Sequence, residues 1–247
     1  MLKLRHLLAV LGIAAIALAG ATATTAARVA APVDAVASIQ PAGETVGVAH
    51  PVTVTFQRAV ADRAAAERSF AVSAPQTPSG SFTWLSDRVL EWTPDEFWPA
   101  HSTIALSVGD TKASFQTGAS VVSVADINSY SFTVSIDGEV AREMPASMGK
   151  ARFPTPQGTF SVLRKEAFVV MDSRTIGIPL DDPEGYKLDV YNAVRITNGG
   201  VYVHSAPWSV GSQGYANVSH GCINLSPDNA AWYFDTVGVG DPVIVQA

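Results

Sequence analysis

Short runs in which apolar and polar residues alternate, each closed by turn-forming residues, fill this chain from about residue 41 onward. Examples are Val52-Thr-Val-Thr-Phe56, Ser81-Phe-Thr-Trp-Leu85, Val89-Leu-Glu-Trp-Thr93, Ile104-Ala-Leu-Ser-Val108 and Ala113-Ser-Phe-Gln-Thr117. A period of two sends successive side chains to opposite faces of a strand, so each run fits a half-buried strand and none fits an amphipathic helix. Turn signals recurring every 8–12 residues or so predict a small β-sandwich over residues 41–119. Ala61 to Ser69 (ADRAAAERS) has helix-forming composition and predicts one short crossover helix. Trp84, Trp92 and Trp98 read as core packing, with a carbohydrate-binding surface as the competing reading.

A second β-rich unit follows over residues 120–247. Asp137-Gly138 lies between alternating runs, the strongest short-range hairpin signal. Phe153-Pro-Thr-Pro-Gln-Gly-Thr-Phe160 predicts a rigid connector, because two prolines forbid a helix and Gly158 permits a turn. Asp181 to Tyr186 (DDPEGY) reads as a polar, mobile loop beside a cleft. Asp228 to Asp235 is the one helix expected here, with Ser226 as N-cap and Pro227 at the first helical position. Asp241 to Gln246 predicts a closing strand. The expected class is all-β with one or two short helices.

Only 15% of the 247 residues are charged, and 16 Lys/Arg against 22 Asp/Glu give a net charge of −6. With no basic cluster, nucleic acid is not an expected partner. Residues 1–27 carry Lys3 and Arg5, an uncharged apolar run from Leu7 to Gly20, and small residues through Ala27. That pattern predicts a secretory signal peptide, hence an exported protein of the periplasmic or cell-wall space. A retained signal-anchor tethering the chain to the membrane is the nearest alternative, and a buried N-terminal helix a third. Residues 28–40 read as an Ala/Val-rich linker.

Export changes the meaning of Cys222, the single cysteine. Structural cysteines outside the cytoplasm normally pair, so a solitary one is an inert buried residue or a nucleophile. Its neighbourhood is Val201-Tyr-Val-His-Ser-Ala-Pro-Trp208 and Val218-Ser-His-Gly-Cys-Ile-Asn-Leu225. A thiol attacks as thiolate, and an imidazole can take its proton and pass it to a leaving amine. His204 and His220 are the candidate partners. On an extended segment His220 and Cys222 share a face, with the Gly221 and Cys222 amides as candidate oxyanion donors. His50 and His101 read as ordinary surface residues of the first unit. A buried inert Cys and a zinc site of His204, His220 and Cys222 remain open on the residues alone, although this spacing matches no paired-ligand metal pattern.

His204-Ser-Ala-Pro-Trp208 with Ser219-His-Gly-Cys-Ile-Asn224 resembles the signature of the YkuD-type L,D-transpeptidases of bacterial cell walls. The resemblance is strongest to the mycobacterial and actinobacterial branch, which places an immunoglobulin-like domain before the catalytic one. Met148-Gly-Lys150 ahead of Pro154-Thr-Pro-Gln-Gly158 resembles the opening of the family's catalytic fold. The resemblance implies Cys222 as nucleophile, His204 as base, the Ser205 carbonyl orienting the imidazole, and His220 and Gly221 shaping the site. It implies Met171, Tyr186, Trp208, Ser219 and Asn224 along the substrate cleft, Tyr186 on a lid loop. The implied reaction forms 3→3 cross-links between peptidoglycan stem peptides by thioester acyl transfer, with release of D-Ala. Carbapenems are the implied covalent inhibitors, and neither metal nor cofactor is implied. An L,D-carboxypeptidase or endopeptidase using water as acceptor is the alternative, and a metallohydrolase and a non-catalytic wall-binding module are further rivals. Two departures stand out: Ile176 replaces an aromatic lid residue, and the sequence ends at Ala247 without the C-terminal extension of some relatives.

Overall fold

A computed structural model describes residues 34–247 of the chain. The signal-peptide reading of residues 1–27 lies outside the described residues.

The first unit holds β1 (Val36–Gln40), β2 (Thr45–Val46), β3 (Val52–Phe56), α1 (Arg63–Arg68), β4 (Phe70–Ser73), β5 (Gly80–Trp84), β6 (Val89–Pro94), β7 (Thr103–Val108) and β8 (Thr111–Thr117). They form two four-stranded sheets, β1-β3-β6-β5 and β2-β8-β7-β4. Val52, Val54 and Phe56 of β3 and Ile104, Leu106 and Val108 of β7 point inward, as their alternation requires. Trp92 and Trp98 are buried and pack 5.2 Å apart, and Trp98 meets Phe115 edge-on. Trp84 donates from Nε1 to Glu67, which fastens α1 to the sandwich. All three tryptophans therefore belong to the packing.

One expectation fails at the start. Val36–Gln40, read as the end of the linker, is a strand that pairs with β3. Its Ala/Val composition continues that of the preceding segment, so only the partner strand distinguishes it. The crossover helix is shorter than expected, with Asp62 capping it by accepting from the Ala65 amide.

The second unit holds β9 (Val121–Asp126), β10 (Ser131–Ile136), β11 (Glu139–Pro145), β12 (Gly158–Ser161), β13 (Arg164–Asp172), β14 (Lys187–Arg195), β15 (Tyr202–Ser205), β16 (Ile223–Leu225), α2 (Pro227–Thr236) and β17 (Pro242–Gln246). Asp137 and Gly138 both take positive φ, the two-residue turn that matches strand twist, and join β10 to β11. One sheet runs β11-β10-β9-β17-β12 and the other β13-β14-β15-β16. Val121, Phe132, Val134, Val243 and Val245 of the first meet Val194, Val203, Ile223 and Leu225 of the second, with Ala230 and Tyr233 of α2. The connector Phe153–Phe160 forms no helix, as expected, but its end pairs with β17 as β12. The long β13–β14 hairpin projects residues 173–186 at its tip.

Gly47 and Ala49 donate to the carbonyls of Val239 and Gly240, 2.8 Å each, and so join the two units by backbone. A Cβ on Gly47 would lie 2.1 Å from the Asp241 amide nitrogen, closer than any real contact. Gly47→Ala is expected to cost at least the roughly 1–3 kcal/mol of ordinary overpacking, because backbone rather than a flexible side chain must move. Thermal unfolding checks this: Tm should fall by roughly 2–4 °C per kcal/mol lost. An unchanged Tm would mean that this junction is not close-packed.

Candidate active site

The site follows from the alternation of two short parallel strands. Val203 pairs with Ile223 and Ser205 with Leu225, and Val203, Ile223 and Leu225 point into the core. The alternate residues, Tyr202 and His204 on one strand and Cys222 and Asn224 beside the other, must then share the opposite face. His204 pairs with Asn224, so Cys222, two residues earlier, is its diagonal neighbour. At ordinary strand spacing and rise their α carbons lie about 8 Å apart, which brings the two side chains toward each other. His204 and Cys222 line one cavity of about 280 Å³ with Met171, Tyr186, Trp208 and Asn224. Cys222 also borders a second hollow of about 370 Å³, reached past Tyr186 and Ile176.

His204 is 2% exposed, and its Nδ1 donates to the Ser205 carbonyl at 2.8 Å. A carbonyl only accepts, so the ring proton sits on Nδ1 and Nε2 carries a free lone pair. Burial pulls the imidazole pKa down to about 4 despite the Ser205 bond. Burial likewise pushes the Cys222 thiol up to about 11, although the Tyr202 amide favours its thiolate. Thiol and imidazole are therefore both neutral at rest.

The loop before Cys222 is internally bonded. Ser219 Oγ accepts from the Gly221 amide at 3.1 Å and donates to the Cys222 carbonyl at 2.6 Å. Thr155 Oγ1 donates to the Gly221 carbonyl at 2.9 Å. The extended geometry expected between His220 and Cys222 is interrupted at Gly221, where φ is +114°. The His220 ring lies between Phe153 and Tyr186, 4.8 and 4.9 Å between ring centres, while still bordering both cavities. Its Nε2 meets Glu184 at 2.9 Å, and Lys150 bonds the same carboxylate oxygen. Those two partners hold the Glu184 carboxyl below its usual pKa, Lys150 first. Glu184 sits in the loop read as polar, mobile and beside a cleft, so its tie to the loop before Cys222 was missed. Nothing in Asp181 to Tyr186 marks it.

The remaining expected residues lie around the same cleft. Met171, next to last in β13, lines the cleft with Leu188 and Cys222, and all three pack against Val190, Ala193 and Tyr202. Tyr186 closes the tip loop, its phenol pushed up mainly by burial. Trp208 is 50% exposed at the rim, 6.1 Å between ring centres from His204. Ile176 is 44% exposed on the tip. Asn224 is buried and donates from Nδ2 to Ser209, whose own proton goes to the Ala206 carbonyl. Asn224 borders the cleft, and its Oδ1 is the buried side-chain acceptor without a partner among the described residues. Ser209 and Gln213, which orient Asn224, carried no sequence signal. No group of three His, Cys, Asp or Glu side chains gathers as a metal-ligand set among the described residues.

A family model described as the L,D-transpeptidase catalytic domain matches residues 120–245, and one described as a bacterial Ig domain matches residues 17–111. L,D-transpeptidase 1 of Mycobacterium tuberculosis (strain ATCC 25618 / H37Rv) is 56% identical over 224 residues, 90% of this chain and 89% of that one. A solved L,D-transpeptidase from Mycobacterium smegmatis is similar with a TM-score of 0.84 and 70% identity, covering 88% of this chain and 100% of that one. The L,D-transpeptidase LdtMt1, solved in complex with imipenem, gives a TM-score of 0.82 and 57% identity over 87% of this chain and 100% of its own.

Proposed function

The chain belongs to the YkuD family of L,D-transpeptidases, and on that premise we propose that it joins peptidoglycan stem peptides through a thioester on Cys222. The observation that carries this reading is the His204–Ser205 bond on the strand face that also presents Cys222, because it leaves Nε2 as the free proton acceptor.

In the proposed reaction Nε2 takes the thiol proton as sulfur attacks the carbonyl between the third stem residue and the terminal D-Ala. The imidazolium returns that proton to the departing amine, and D-Ala leaves. A side-chain amine on the third residue of another stem then attacks the thioester, gives its proton to His204, and releases the thiol with a 3→3 cross-link formed. Tyr186, Trp208 and Met171 line the cleft and limit water at the thioester. A carbapenem enters the same first step; ring opening keeps its amine attached, so the thioester persists. The signal-like residues 1–27 and the wall substrate support an exported enzyme of the periplasmic or cell-wall space.

The test is product analysis with a tetrapeptide donor, with and without an amine acceptor. The expected result is D-Ala release accompanied by a cross-linked dimer that depends on acceptor. A tripeptide formed at the same rate whether or not acceptor is present would favour the L,D-carboxypeptidase alternative.

A further inference from the structure

Beyond the residues that meet substrate, we propose that Thr155 is a positioning residue for acyl transfer, its hydroxyl turning the Cys222 amide toward the oxyanion. This inference rests on the acyl-transfer reading above and deepens it.

Thr155 is 3% exposed. Its Oγ1 accepts from the Gly149 amide at 2.9 Å and donates to the Gly221 carbonyl at 2.9 Å. A hydroxyl has one proton, and an amide can only donate, so that proton is committed to Gly221. The carbonyl of Gly221 and the N–H of Cys222 belong to one trans peptide plane and point in opposite directions. Fixing the oxygen on Thr155 therefore fixes the direction of the Cys222 N–H, away from the 149–155 segment.

The plane needs such a hold. Gly221 stands at φ +114°, where no side chain restricts rotation of the peptide. Its own amide is already given to Ser219, whose proton is given to the Cys222 carbonyl. The Gly221 N–H, one of the two oxyanion donors expected from sequence, is thus engaged inside the loop, and the Cys222 amide is the donor whose aim is adjustable. Thr155 is stiffly presented: Pro154 precedes it, and Pro156 confines it to extended backbone. An oxyanion created by sulfur attack forms next to the nucleophile's own amide, where a preorganised donor acts on the transition state rather than on bound substrate.

The test uses two reactions of the same sulfur in the full chain. Acylation by a carbapenem creates an oxyanion; alkylation by iodoacetamide does not. Thr155→Val, which keeps shape and loses the hydroxyl, should slow acylation roughly tenfold to a hundredfold, somewhat less than outright loss of a donor. Its alkylation rate should stay within about twofold of the native chain, and Thr155→Ser should restore acylation to within a few-fold. Should Thr155→Val fail to fold, Thr155→Ala is read in the same way. Acylation at the native rate in the hydroxyl-free variant overturns the inference. So does a parallel fall in both reactions, or a serine variant no better than valine. A native chain that takes up no carbapenem overturns both this inference and the proposed function, and is told apart by needing no variant.

Discussion

Cys222→Ala is expected to abolish covalent uptake of a carbapenem, with intact-protein mass unchanged after incubation, and to remove cross-linking with it. The effect should be close to total for a reason of inventory. Cys222 is the only thiol in the sequence, and the neighbouring Ser219 hydroxyl is held between the Gly221 amide and the Cys222 carbonyl. Among the described residues no second thiol shares that strand face. Loss of a covalent nucleophile in a comparable acyl-transfer enzyme costs about six orders of magnitude in turnover, which is below detection in this assay. Folding should be preserved, because Cys222 is only partly buried and alanine removes a single sulfur beside Met171 and Leu188. Equal Tm for the two chains is the control. A mass increment matching the carbapenem in the alanine chain would reject Cys222 as the acylated residue.

What could be read in the sequence and what could not divides along local against tertiary information. Alternation in Val52–Phe56 or Ile104–Val108 is a property of five neighbouring residues, and so is the Asp137-Gly138 turn; both are visible without a partner. Cys222 is visible because its chemistry is scarce, a lone thiol in a chain read as exported, and His204 because it is one of two nearby imidazoles and the His204–Trp208 run resembles a family signature. Val36–Gln40 was lost because its composition matches the leader-like stretch before it, and only pairing with β3 identifies it. Glu184, Thr155, Ser209 and Gln213 act through partners 15 to 66 positions away or through a side chain set by another side chain, so their neighbours in sequence do not give these contacts away, even for Thr155 inside the Pro154-Thr-Pro-Gln-Gly158 run. The two-residue spacing of His220 and Cys222 misled in detail, since a glycine that can adopt φ +114° breaks the extended geometry the spacing assumed.

The second large effect is expected at His204. His204→Ala should slow carbapenem acylation by two to four orders of magnitude near neutral pH, the usual scale for a lost general base. The pH profile identifies the cause. With the imidazole at about 4 and the thiol at about 11, both partners of the native chain are neutral over the window between, so acylation should be flat from roughly pH 5 to 9 and fall as the ring protonates below about 4. In the alanine variant the thiolate must come from ionisation to water, so its rate should climb about tenfold per pH unit toward 11 and the gap to the native chain should close. The same depression has a sign for stability: an unfolded histidine titrates near 6.5, so the contribution of the neutral buried ring is full above that value and is lost as pH falls through about 4. A native rate that itself climbs tenfold per unit between pH 7 and 9 would place the thiol proton in solvent before attack, and His204 would then be an orienting ring and not the base.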